Sequence, residues 1–322
     1  MFIAVVFSSF PIRSEGNQRQ EWHSVTLDND LFLGDDSGYS NGLYYSLYNA
    51  SQNEGVEHPL LLAPTIWSYN SNESPKLSFN ALTFGHIIVT PDDITQTSEQ
   101  PNDIPYGGLL FLHRAHIADF GGYADKMSTT IGLLGPSSRA DRVQTSIHRI
   151  TGSDIPQGWD NQLKDELVFQ FSRGRAWRIW SSQQDNSDFI LGVDSKFGTL
   201  ETSIGAGAMF RVGREIEQSF SSVLLNDDRT SNPVNVNDGW YFYTGVGLSY
   251  TWQLIFLDGN TFRESASVEY EPLQLTGILG YTYAWNNFSM TIAINGIDLL
   301  KKNSSLPDRK SYGSMTWLWR LD

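Results

Sequence analysis

Hydrophobic and polar residues alternate along most of the chain with a period of two, which is typical of half-buried β-strands. In the segment GWYFYTGVGLSYTWQL (239–254), one face is apolar or aromatic and the other is mostly small and polar. The segments SIGAGAMFRVG (203–213) and SYGSMTWLWR (311–320) repeat this pattern. The chain is therefore predicted to consist mainly of strands with one apolar face.

The alternating segments predict twelve strands. They lie near residues 20–32, 40–50, 76–90, 106–120, 126–135, 166–181, 187–198, 201–213, 239–257, 263–285, 288–298 and 311–321. A soluble β-sandwich also alternates, but aromatic residues cluster here at strand ends and the opposite face is small and polar. These features favour an all-β fold, a twelve-stranded antiparallel transmembrane β-barrel.

Composition excludes several classes of function. The net charge of −14 argues against a nucleic-acid partner, because phosphate would be repelled. The chain contains no cysteine, which excludes disulfides and thiolate metal sites. Its mean hydropathy is −0.31, and it has no apolar run long enough for a transmembrane helix.

The N-terminus contains an apolar stretch, Phe2–Phe10, that resembles the hydrophobic region of a secretory signal peptide. A buried strand is the alternative. We therefore expect residues 1–15 to be a partial signal peptide and residues 16–322 to form the barrel domain.

Helical periodicity is clearest in SSRADRVQTSIHRITG (137–152), which predicts one helix in a connection between strands. Three apolar positions share one face of this helix: Val143, Ile147 and Ile150. Three polar positions share another face: Gln144, His148 and Thr151. If the chain starts on the periplasmic side, the connections 33–39, 91–105 and 136–165 lie together outside the cell, so the helix is expected in an extracellular loop.

The segment GYSNG (38–42) matches G-x-S-x-G, the nucleophile elbow of serine hydrolases. An elbow requires a helix after the serine, but the residues after Ser40 alternate as a strand does, so the elbow is rejected. The acidic segment DNDLFLGDDSG (28–38) lacks the EF-hand pattern. A calcium site of another kind and a solvated acidic loop both remain open for it.

His148 is the best candidate for a general base, because it lies on a polar helical face with Asp154 just beyond the helix end. An ordinary exposed helix histidine is the alternative. His113 and His116 are separated by an odd number of residues, so on a strand they face opposite sides and are poor co-ligands.

Three segments together resemble the outer-membrane lipid A 3′-O-deacylases (LpxR-type): LDNDLFLGDDSGYSNGLYYS, DIPYGGLLFL and LLGPSSRADRVQTSIHRITGSDIPQGWDNQLKDE. The resemblance implies a twelve-stranded barrel in the bacterial outer membrane that removes the 3′-linked acyloxyacyl group of lipid A with Ca²⁺. The implied partner is lipid A or lipopolysaccharide in the outer leaflet, which the active site would face, and we expect a monomer.

By position, the resemblance implies that Asn29 and Asp30 bind the calcium ion, which would polarise the ester carbonyl. Ser40 stands where the family has threonine, and it is expected to donate a hydrogen bond at the reacting group rather than to attack. His148 is the implied general base that activates water, Asp154 its acidic partner and Gln144 a supporting residue.

The sequence departs from the family pattern at three points. Ile104 replaces an arginine, Gln96 lies near a position where some members have lysine, and the chain ends in Asp322 instead of an aromatic residue. These changes put the contacts with substrate phosphate in doubt. Two other functions stay open: an outer-membrane phospholipase with a Ser40–His148 pair, and a non-catalytic porin or adhesion barrel.

Overall fold

The computed structural model describes residues 20–29, 38–52, 74–216, 219–220, 238–299 and 311–321. Twelve antiparallel strands in these ranges form a closed barrel in which strands adjacent in sequence pair and β1 pairs with β12. The strands are β1 Gln20–Asn29, β2 Gly38–Gln52, β3 Leu77–Thr90, β4 Gly107–Asp119, β5 Tyr123–Leu134, β6 Glu166–Ser181, β7 Ser187–Gly198, β8 Glu201–Arg214, β9 Asp238–Leu254, β10 Leu273–Trp285, β11 Phe288–Asp298 and β12 Tyr312–Leu321. The predicted twelve-stranded barrel is therefore confirmed. The predicted signal peptide, residues 1–15, lies outside the described residues.

The alternation seen in the sequence separates the outer surface of the barrel from the lumen. On β9 the outward side chains, among them Trp240, Val246 and Trp252, are exposed, whereas the alternate residues Tyr241 and Tyr243 are buried in the lumen. A barrel whose outer surface is apolar and exposed is suited to lipid rather than water.

Exposed aromatic side chains form a band near each end of the barrel. One band contains Trp180, Trp240, Tyr283 and Trp285, and the other contains Phe169, Phe197, Tyr250 and Trp252. On β9 the two bands are separated by roughly 33 Å of strand, or roughly 25 Å along the barrel axis at a tilt of about 40°. This separation matches the apolar layer of an outer membrane.

The connections after the odd-numbered strands lie at one end of the barrel, here called the helix end. The connection between β5 and β6 contains a 3₁₀ turn, Pro136–Ser138, the helix α1, Ala140–Thr151, and a second 3₁₀ turn, Trp159–Asn161. The predicted helix is thus present, in the predicted connection. None of the helices among the described residues is long and apolar enough to cross a membrane.

The connection between β9 and β10 differs from the prediction. Strands were expected over 239–257 and 263–285, but β9 ends at Leu254, a short helix α2 spans Ile255–Asp258, and β10 begins only at Leu273. The carboxylate of Asp258 accepts a hydrogen bond from the main-chain N–H of Leu254 at 2.7 Å, which stabilises this turn. The apolar residues of α2 are buried in the barrel mouth, so they resemble a continued strand in sequence without forming one.

An apolar cluster closes the lumen at the helix end. It combines α2 with inward residues of several strands: Val89, Ile104, Leu109, Leu134, Leu163, Val168, Ile255, Phe256, Leu257 and Val268. Next to it lies a cavity of about 520 Å³, whose lining includes residues of this cluster such as Leu109 and Phe256 and also the charged residues Lys126, Asp194 and Glu201. The lumen is therefore a lined cavity with an apolar cap at this end.

Candidate active site

Helix α1 lies against the outside of the barrel wall. Leu82 and Phe84 show that the even-numbered residues of β3 face outward, and Ile88 has the same parity. Ile88 is nevertheless buried, because it packs in a cluster with Tyr106, Ala140 and Trp159. The α1 connection therefore covers the outer wall where β3 and β4 end.

Gly108 allows this close approach. It pairs with Ile88 and faces outward beneath the start of the helix. A Cβ atom at this position would lie 2.3 Å from both Ala140 Cβ and Ser138 Oγ. Such distances are far shorter than a van der Waals contact, so a residue without a side chain is needed where α1 meets the wall.

The buried face of α1 is its polar face. Ala140, Gln144 and His148 are spaced four residues apart and are buried, so this stripe faces the wall. Thr151 is exposed, although it was grouped with Gln144 and His148 in the sequence. His148 is only 6% exposed, so the alternative of an ordinary exposed histidine is wrong.

The main chain just beyond α1 orients the imidazole of His148. Gly152 ends the helix with a left-handed φ of 79°, and the chain turns back so that the carbonyl oxygen of Asp154 lies 2.6 Å from His148 Nδ1. A carbonyl can only accept, so Nδ1 carries the hydrogen and Nε2 of the neutral ring has a lone pair. His148 is thus held in the tautomer that can accept a proton at Nε2.

Asp154 contributes to this contact through its main chain. The residue is exposed, and the hydrogen bond to His148 comes from its backbone carbonyl, not from its carboxylate. The sequence indicated the right neighbour of His148. The catalytic role assigned to its carboxylate remains a prediction.

Gln144 is held by an aromatic side chain. Its Oε1 accepts a hydrogen bond of 3.0 Å from Trp159 Nε1, and the indole of Trp159 packs against Tyr106 with ring centroids 4.9 Å apart. The Tyr106 hydroxyl donates to the carbonyl of Ile94 at 3.2 Å, and burial raises the pKa of Tyr106 to about 12. The phenol therefore stays protonated at any physiological pH.

Neither Trp159 nor Tyr106 was singled out from the sequence. Both lie in connections, in the segments DIPYGG and PQGWDNQ, and each is adjacent to a glycine. A bulky aromatic residue in a polar, glycine-containing connection is a signal for a buried contact, because loops seldom bury such residues without a partner.

The predicted calcium-binding segment begins on the same outer surface. Strand pairing places Asn29 opposite Asn41, Asn41 opposite Ile88 and Ile88 opposite Gly108 in one outward row. Asn29 Nδ2 donates to Asn41 Oδ1 at 2.5 Å. Because neighbouring strands are about 4.8 Å apart, Asn29 lies roughly 10 Å along this row from the residue that α1 covers.

Two predicted site residues fall wholly or partly outside the described residues. Asp30 is not described, and of Ser40 only the main chain is, as part of β2. Because β2 runs unbroken from Gly38 to Gln52, the serine is followed by strand, which confirms that GYSNG is not a nucleophile elbow.

The residues offered to calcium have suitable chemistry. The amide of Asn29 and the carboxylate of Asp30 provide the oxygen ligands that a hard cation takes. Within the described ranges, no group of three or more His, Cys, Asp or Glu side chains could hold a metal ion. Asp30 lies outside those ranges, so the binding of calcium by Asn29 and Asp30 remains a prediction.

The two positions at which the family pattern has basic residues carry neutral side chains in the structure. Ile104 is buried in the apolar cap of the lumen. Gln96 donates from Nε2 to Asp93 Oδ2 at 2.8 Å and is part of the polar 91–106 connection. Neither residue supplies positive charge to the outer wall.

A family model described as "Outer membrane protein LpxR" matches residues 1–321. The chain belongs to the LpxR family. It is an integral outer membrane protein, because the family and the closed barrel with its apolar outer surface agree. The resemblance predicted from the three sequence segments is confirmed.

A solved structure shows the same fold for this LpxR-family chain. LpxR from Salmonella typhimurium superposes with a TM-score of 0.73 at 14% identity, covering 92% of this chain and 99% of that chain. The β domain of the Bordetella autotransporter BrkA matches with a TM-score of 0.43 at 10% identity, covering 94% and 98%. No match was found among curated protein sequences.

Proposed function

We propose that this protein is an outer-membrane ester hydrolase that removes the 3′-linked acyloxyacyl chain of lipid A. The observation that carries the proposal is the position of His148, which is buried between α1 and the outer wall with Nε2 as a proton acceptor. Its helix packs on the outer wall of the barrel, on the side that faces lipid. Membership of the LpxR family supports the choice of substrate.

In the proposed reaction, His148 acts as the general base. Nε2 takes a proton from a water molecule as the water oxygen bonds to the ester carbonyl carbon. The carbonyl of Asp154 accepts from Nδ1–H, so it stabilises the positive charge that forms on the ring. When the tetrahedral intermediate collapses, the bond to the sugar 3′-oxygen breaks and that oxygen takes the proton back from Nε2. The products are a fatty acid and a free 3′-hydroxyl.

Ser40 and the calcium site assist at the carbonyl oxygen. The Ser40 hydroxyl is proposed to donate a hydrogen bond to the developing oxyanion, a role that threonine could also fill. Asn29 and Asp30 would hold Ca²⁺, which supplies positive charge for the oxyanion when bound. Gln144, fixed by Trp159, keeps the wall-facing side of α1 in place.

The proposed orientation puts the helix end outside the cell. In this orientation β1 begins and β12 ends on the periplasmic side. Helix α1 then lies at the level of the outer leaflet, where lipid A resides. The protein is proposed to act as a monomer, since the residues proposed for the site all come from one chain.

Mass spectrometry of lipid A tests the reaction. Cells that make the protein should lose the 3′-linked acyl chains, and cells that make His148→Gln should keep them, with both proteins inserted equally. Lys196→Met, a substitution in the lumen, is the matched control and should behave as the native chain. Unchanged lipid A with the native chain in the presence of calcium would mean that the proposed function is wrong.

Two further variants separate water attack from a serine enzyme. Ser40→Thr should retain activity if the hydroxyl only donates a hydrogen bond, whereas a Ser40–His148 phospholipase would lose it. Asp154→Asn should lower the rate by less than about tenfold, because the imidazole is held by the main-chain carbonyl. Trapping of an acyl-enzyme on Ser40 would contradict the water mechanism.

A further inference from the structure

Helix α1 carries an apolar stripe that is exposed at the surface of the protein. Val143, Ile147 and Ile150, the apolar stripe, are 38%, 39% and 85% exposed. In most amphipathic helices such a stripe packs against the protein core. Here the stripe of Ala140, Gln144 and His148 takes that place, so the apolar stripe is left on the surface.

The apolar stripe is close to the lipid-facing belt of the barrel. At about 100° per residue, it lies roughly a quarter turn around the helix from the stripe that faces the wall. The next outward positions below Gly108 and Ile88 form a row across β2 to β6 that is mostly leucine: Leu43, His86, Leu110, Leu133 and Leu167. Leu43 and Leu167 are 53% and 72% exposed. Both the stripe and most of this row are apolar, and both lie on the outer side of the barrel.

Positive charge accompanies the apolar stripe. Arg139, Arg142 and Arg149, the arginine set, are all exposed and lie at or within α1. Arg142 and Arg149 lie on the side of the helix away from the wall. This concentration contrasts with the net charge of −14 for the whole chain. A helix with an apolar face beside arginines is typical of segments that lie in the interface of a membrane.

We propose that α1 is an interfacial helix, with the apolar stripe in the acyl layer of the surrounding leaflet and the arginine set on its anionic headgroups. The occupant of the exposed face is therefore membrane lipid. Two observations support this occupant. The stripe is exposed and apolar, as is the lipid-facing belt of the barrel, and the charge of the arginine set complements anionic lipid. The proposal concerns the placement of the helix and does not depend on the reaction.

Spin labelling tests the placement directly, because the chain has no cysteine and single cysteines can be introduced without background. Nitroxides at Val143→Cys, Ile147→Cys and Ile150→Cys would be examined in phosphatidylcholine vesicles containing phosphatidylglycerol. Thr145→Cys, a partly exposed position on the side of α1 opposite the stripe, is the solvent control, and Val246→Cys, on the outer surface of β9, is the lipid control. Heat-dependent mobility in electrophoresis verifies that each variant is folded.

The measured quantity is the ratio of relaxation by oxygen to relaxation by a water-soluble nickel complex. We expect this ratio to be several-fold greater at the three positions of the apolar stripe than at Thr145→Cys, and to approach the ratio at Val246→Cys. Values equal to that of Thr145→Cys would show that α1 lies in water and would overturn the proposal. Spin–spin broadening at Ile150→Cys would show that a second copy of the chain covers the stripe, and would also overturn it.

The headgroup contact has its own control. Adding phosphatidylglycerol to phosphatidylcholine vesicles should increase the oxygen-to-nickel ratio at Ile150→Cys, and Arg142→Gln with Arg149→Gln should abolish that increase. An increase that persists in the double variant would overturn the role of the arginine set. These measurements need no substrate, so they remain decisive whether or not lipid A deacylation is observed.

Discussion

Polar side chains are buried both in the lumen and between α1 and the outer wall, but the two regions are built differently. In the lumen, ionisable groups pair with each other: Arg211 binds Asp188 through two hydrogen bonds, of 2.5 and 2.9 Å, and Lys196 lies 3.4 Å from Glu201. Under α1, His148 is held by a neutral carbonyl and keeps a proton-accepting nitrogen. Paired charges hold neighbouring strands together, whereas a histidine whose second ring nitrogen has a lone pair can accept a proton from a substrate or from water.

The difference also concerns access. The apolar cap closes the lumen at the helix end, while the outer wall adjoins the lipid-facing belt. In membrane barrels polar function is usually sought inside the barrel. In this molecule the candidate site is on the outside, and the interior is the structural part.

The largest expected effect on activity comes from moving α1 off the wall. Gly108→Ala places a Cβ atom 2.3 Å from Ala140 Cβ, so the helix must shift outward. A displacement of about 1 Å can reduce catalysis about 100-fold, and a loss of that size is expected in a lipid A deacylation assay. Gly192→Ala in the lumen is the control, since its nearest neighbour lies 3.8 Å away. Equal activity of the two variants would remove the functional contrast between wall and lumen.

A substitution in the lumen should lower stability and leave activity unchanged. Asp188 and Arg211 are each 1% exposed, and breaking such a pair costs about 3–5 kcal/mol because one buried charge loses its partner. Asp188→Asn is therefore expected to lower the free energy of unfolding by about that amount, measured by denaturant titration in detergent. The rate per folded molecule should not change. Adding Arg211→Met should restore much of the stability.

A smaller effect is expected from the aromatic support of the site. Trp159→Phe retains the ring but removes the donor to Gln144 Oε1, leaving that buried acceptor without this bond. The local cost of losing this hydrogen bond is about 1 kcal/mol, so the rate should fall by less than about tenfold. Hydrogen exchange of α1 amides should increase in parallel. Trp180→Phe, on the outer surface at the other end, is the control and should change neither quantity.

The smallest effect is a dependence of stability on alkaline pH. Burial raises the pKa of Tyr106 to about 12, whereas an unfolded tyrosine titrates near 10. Between these values the folded protein binds more protons than the unfolded one, so stability falls as the pH rises through that window. Tyr106→Phe should remove this part of the loss. Between pH 9 and pH 11, the unfolding midpoint of the native chain should therefore fall by more than that of the variant.

The barrel could be predicted from the sequence because alternation is a local property. On β9 most outward residues are apolar or aromatic and most of the alternate residues are small or polar, so the pattern predicts both the strand and its lipid-facing side. The pattern failed at α2, where Ile255, Phe256 and Leu257 are apolar in succession and fold into the barrel mouth. A short apolar run does not distinguish a strand from a buried helical turn.

The candidate site could be predicted only in part. The sequence placed His148 and Gln144 on one helical face, and both are buried together against the wall. It did not indicate that the polar face would be the buried one, because that depends on Gly108 lying opposite. It also assigned the contact with His148 to the carboxylate of Asp154, since main-chain carbonyls are present at every residue and leave no signal in a sequence.

Because α1 packs on Gly108 of β4, the proposed catalytic site is built partly from a strand that also holds the protein in the membrane. The strands that cross the bilayer also form the wall against which His148 packs, so no proteolytic cut would release an active soluble fragment. A substrate that stays in the leaflet would arrive by lateral diffusion, and its number per unit area, rather than per unit volume, would govern the rate. Diluting the lipid within mixed micelles should then slow turnover at constant bulk concentration.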